Sequence, residues 1–64
     1  MKISEIKNYI LSPMTTRFQA FNLLSFFRDE AGSVKNKRIQ KSLESKSERV
    51  KKYGVLRWGE NWYE

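Results

Sequence analysis

Apolar residues recur along this chain at two different periods. Ile3, Ile6 and Ile10 follow helical spacing with Tyr9 beside them, which predicts a short helix over about 3–11. Ser12-Pro13 ends it, because the residue before proline is pushed out of helical geometry. Thr16-Arg17-Phe18-Gln19 fits a capping box, in which threonine and glutamine satisfy each other's backbone amides. A second helix is expected over about 16–31, with Gly32 as its stop. Ala20, Leu23, Leu24, Phe27 and Ala31 share one stripe of it, while Phe18 and Phe21 fall on another side. That pattern predicts the central helix of a small bundle, with Phe18 and Phe21 turned toward the first helix. The competing reading gives those phenylalanines to a protein-docking or dimer face.

The third segment, about 34–53, is poorer in apolar residues. Ile39, Leu43, Val50 and Tyr53 would share a stripe on one continuous helix, but Lys46 would interrupt it. Ser47 followed by Glu48 makes a second N-cap. One long helix therefore competes with two helices separated by a polar turn near 44–47. After Tyr53 the period changes. Val55 to Trp58 and Asn61 to Glu64 are rich in β-branched and aromatic residues and flank a Gly59-Glu60-Asn61 turn signal, which predicts a hairpin over about 55–64. The expected fold is mostly α with a C-terminal β-hairpin, one small domain over 1–64.

Charge sharpens the picture. The 64 residues carry a net +6, and the excess is concentrated. Between Ser33 and Arg57, nine basic residues (Lys35, Lys37, Arg38, Lys41, Lys46, Arg49, Lys51, Lys52 and Arg57) stand against Glu44 and Glu48. Such a segment is the footprint of a polyanion-binding face; its plainer reading is a solvated helix with local pairs such as Glu44–Lys41. The chain has no Cys or His, which excludes a disulfide framework, a zinc knuckle, a thiol nucleophile and a Ser-His-Asp triad. No acid pair, phosphate cradle or calcium loop is spaced for chemistry, so no enzyme activity, metal or cofactor is expected. No stretch reads as a signal peptide or a bilayer span, and the second helix lacks the net charge that suits an anionic membrane surface. A cytoplasmic location is the expectation.

The order helix, helix, basic helix pair and hairpin resembles a winged helix-turn-helix DNA-binding domain over residues 15–64. Ile39, Leu43 and Val50 stand where that family has apolar anchors, and Gly54 to Tyr63 looks like its wing. Gln40, Glu44 and Ser45 depart from the family pattern of small, glycine and apolar residues. The resemblance implies a three- to four-helix winged-helix-like regulator or accessory factor on duplex DNA. Lys46, Ser47 and Arg49 would then approach base edges. Lys51 and Lys52 would hold phosphates and Arg57 would reach from the wing. Lys37, Arg38 and Lys41 complete the candidate nucleic-acid set. So small a chain offers few contacts, so specificity requires a homodimer or a protein partner.

Trp58, Trp62 and Tyr63 have two readings: core residues, or platforms for unpaired bases. A rival function also stands, a protein-binding module or inhibitor of the kind a virus or mobile element carries. It would dock through Phe18, Phe21, Trp58, Trp62 and Tyr63 and the hairpin edge.

Overall fold

The computed structural model describes residues 2–63, apart from the side chain of Ile3. Three helices make up the described chain: α1 (Ile3–Leu11), α2 (Arg17–Ser33) and α3 (Lys37–Trp58). None is long and apolar enough to cross a membrane.

Each helix begins and ends for local reasons. The Lys2 amide donates to Glu5 Oε2 at 3.2 Å at the start of α1. Its last turn closes at Ser12, just before proline, with the Ser12 amide on the Tyr9 carbonyl. Thr15 is buried in the following turn and donates its hydroxyl to that same carbonyl at 2.6 Å. The box at Thr16 and Gln19 forms in both directions, at 2.9 and 3.2 Å. Helix α2 then runs through Gly32 rather than stopping there; the Val34 amide closes on Glu30. Asn36 caps α3, its Oδ1 accepting from the Arg38 amide at 2.9 Å.

The segment from 37 onward is one helix, without a break at 44–47. Ser47, not Lys46, occupies the inward position between Leu43 and Val50. It is 8% exposed and donates to the Glu44 carbonyl at 2.8 Å. A buried hydroxyl bonded within its own helix carries no unpaired polar group, so the stripe tolerates it. The inward stripe is Gln40, Leu43, Ser47, Val50 and Gly54, alternating steps of three and four, which holds one face of a helix toward its neighbours.

Both α1 and α2 pack on α3. The central helix is therefore α3, and the sequence expectation for α2 is corrected. Ile6 and Ile10 of α1, Ala20, Leu24 and Phe27 of α2, Val50 of α3 and Trp62 form the core. Ile3 belongs to the expected stripe of α1, but its side chain lies outside the described residues. The Cα envelope is 34 × 24 × 15 Å. Its long axis matches the ~33 Å length of a 22-residue helix. Its thin axis leaves room for only two helix layers, with the far side of α3 uncovered.

The expected C-terminal hairpin, and with it the winged-helix architecture, is overturned: no strand occurs among the described residues. Val55 to Trp58 continue α3 instead, and Glu64 lies outside the described residues. An isolated two-stranded hairpin leaves an open edge and is marginal in water. As a helix, the same residues set Val55 and Trp58 against the core and let Arg57 Nη1 donate to the Ile10 carbonyl at 2.8 Å. Gly59, with φ 103°, ends the helix in backbone geometry that favours glycine. The chain then folds back so that Trp62 lies on Gly54. The indole is 3% exposed and donates to the Lys51 carbonyl at 3.1 Å.

Candidate nucleic-acid interface

The single helix sorts the basic residues by direction. At about 100° per residue, Arg38, Lys41, Arg49 and Lys52 fall within an arc of about 80° centred opposite the buried stripe. All four are exposed. Ser45 lies on the centre line between them, Ser42 lies just off one edge, both exposed, and Leu56 ends the row at 69% exposure. The result is a ridge with one cation pair at each end, Arg38 with Lys41 and Arg49 with Lys52. The midpoints of the pairs are about 16 Å apart along the axis.

The acids of this helix stand to one side of the ridge. Glu44 and Glu48 line an open groove along the α2–α3 seam, with Arg28 of α2 on its other wall. Lys41, Ser45 and Arg49 border the same groove from the ridge side. Lys37 is exposed on that flank too.

Four of the residues expected at the interface are placed elsewhere. Ser47 faces inward and cannot reach a base edge. Arg57 ties α3 to α1 and stacks on the Trp58 ring, its Cζ 4.6 Å from the centroid. Lys51 is half-buried, with its ammonium 4.9 Å from the centre of the Tyr63 ring. Lys46 is half-buried on the flank away from Lys51. The aromatic platform is consumed internally as well. Trp58 and Trp62 rings meet at 5.5 Å, and Tyr63 meets Trp62 edge-on at 5.7 Å. These three serve the core.

Phe18 and Phe21 do not pack on α1 as expected. They are 73% and 41% exposed and, with Arg17 and Trp62, line a groove of about 280 Å³. Trp62 belongs to the expected aromatic set, but its neighbourhood with Phe18 and Phe21 depends on the tail folding back, which no periodicity announces.

No family model, curated protein or solved structure matches this chain.

Proposed function

We propose that the chain binds nucleic acid, with duplex DNA as its preferred form, through the outward ridge of α3. The observation that carries this reading is the ridge itself: Arg38, Lys41, Arg49 and Lys52 on one uncovered face, with Ser45 on its centre line and the acids Glu44 and Glu48 along one flank. Lysine and arginine at such positions neutralise phosphates and release condensed counterions, which drives association. A separation of about 16 Å lets the two pairs reach phosphates on either side of a major groove about 12 Å wide. Ser45 would then face the groove floor, where a hydroxyl is able to donate or accept. The internal use of Trp58, Trp62 and Tyr63 favours a duplex over a single strand, since single-strand binding rests on exposed rings for base stacking.

The experiment is fluorescence anisotropy with a labelled random-sequence duplex at low salt. Arg49→Glu with Lys52→Glu should weaken binding at least tenfold. Lys2→Glu with Lys7→Glu changes the net charge equally but on exposed positions at α1, and should weaken it only a few-fold. Equal losses would mean that overall charge acts and the ridge does not.

A further inference from the structure

The groove lined by Arg17, Phe18, Phe21 and Trp62 is separate from the ridge and uses none of its residues. It has three aromatic walls, one cation and no acidic lining residue. Arg17 is therefore the charge at the groove; Lys51 accepts from the Trp62 indole through its backbone carbonyl and sets its ammonium over Tyr63. Trp62 is fixed on Gly54, so one wall is rigid. Phe18 and Phe21 are exposed and belong to a well-capped helix, so little ordering is lost when they are covered.

We infer that this groove docks a short acidic peptide segment of a partner protein, seating one aromatic or long aliphatic side chain between Phe18, Phe21 and Trp62 and an adjacent carboxylate on Arg17. Arginine suits a carboxylate because its planar fork donates two parallel hydrogen bonds. A second copy of the chain fits poorly. Each copy carries +6, and a facing pair would bring Arg17 of both together. The four lining residues also supply far less than the 1,200 Å² or so of total buried area that a stable protein–protein interface requires. The chain's own tail already supplies the Trp62 wall. A single anchoring side chain with a charged neighbour matches both the size and the sign of the site.

The proposal is independent of nucleic-acid binding, and its test separates the two. A random-peptide phage library is selected on the folded chain, and the enriched peptides are measured against three variants. The expected consensus is an aromatic or long aliphatic residue next to Asp or Glu. Its affinity should fall at least tenfold on Phe18→Ser and on Arg17→Glu, both at exposed positions, and should persist on Arg49→Glu/Lys52→Glu. Binding should also shift the Trp62 indole N–H signal in an NMR titration. Peptides that bind Phe18→Ser equally well, that lack acids, or that lose binding with the ridge variant would overturn the inference. So would a dimer in sedimentation that Phe18→Ser disperses.

Discussion

Two glycines in helical segments illustrate how much one Cβ decides. Gly32 has nothing within 4 Å of where a Cβ would stand, so Gly32→Ala should stabilise the fold by about 0.5–1 kcal/mol through lost chain entropy and better helix propensity. At Gly54 a Cβ would clash with the Trp62 ring. Gly54→Ala must expel the tail, and burying an aromatic side chain of this kind contributes about 1.5–3 kcal/mol. Even after the propensity gain of about 1 kcal/mol, a net loss of about 0.5–2 kcal/mol is expected. Chemical denaturation measures both variants, and a red shift of tryptophan emission reports the displaced ring. Stabilisation by Gly54→Ala would mean that Trp62 does not rest there. Composition alone shows a glycine among β-branched and aromatic residues, which reads equally well as a strand.

At the scale of elements, α1 and the capping box of α2 were legible because proline, threonine and glutamine act on their immediate neighbours. Residues 37–58 were legible in part: a helix to Tyr53, unbroken in one of two readings, was expected and is found, whereas its true start and its run on to Trp58 were not. Ser47 looks like a cap in a window of polar residues, yet its neighbours place it on the buried stripe; a small hydroxyl that bonds to its own helix passes as either. The cap at Asn36 is hard to read from sequence because Lys37 and Arg38 separate it from Ile39, the first apolar residue of the helix. Asn36→Ala should cost about 1 kcal/mol in denaturation. Ser47→Ala should change stability by no more than about 0.5 kcal/mol, since the hydroxyl and its partner lie within one helix. The same variant should leave duplex affinity unchanged. A large affinity loss there would put the recognition surface on the wrong face of α3.

At the scale of the whole molecule, the segmental excess of positive charge was evident in the sequence, but its direction was not. Which cations point outward depends on α3 being continuous and on α1 and α2 sharing its other face. That arrangement sends Arg38, Lys41, Arg49 and Lys52 to solvent and commits Arg57 to a carbonyl of α1. Exposed aromatics on α2 then form a second, chemically different surface, so one small chain presents a cationic ridge and an apolar groove on separate helices. The most direct test of the ridge is the salt dependence of duplex binding. Four phosphate contacts predict a slope of log K against log salt near −3.6, and Arg49→Glu/Lys52→Glu should reduce it to about −1.8. A slope left unchanged by those substitutions, or the absence of any binding at low salt, would contradict the account.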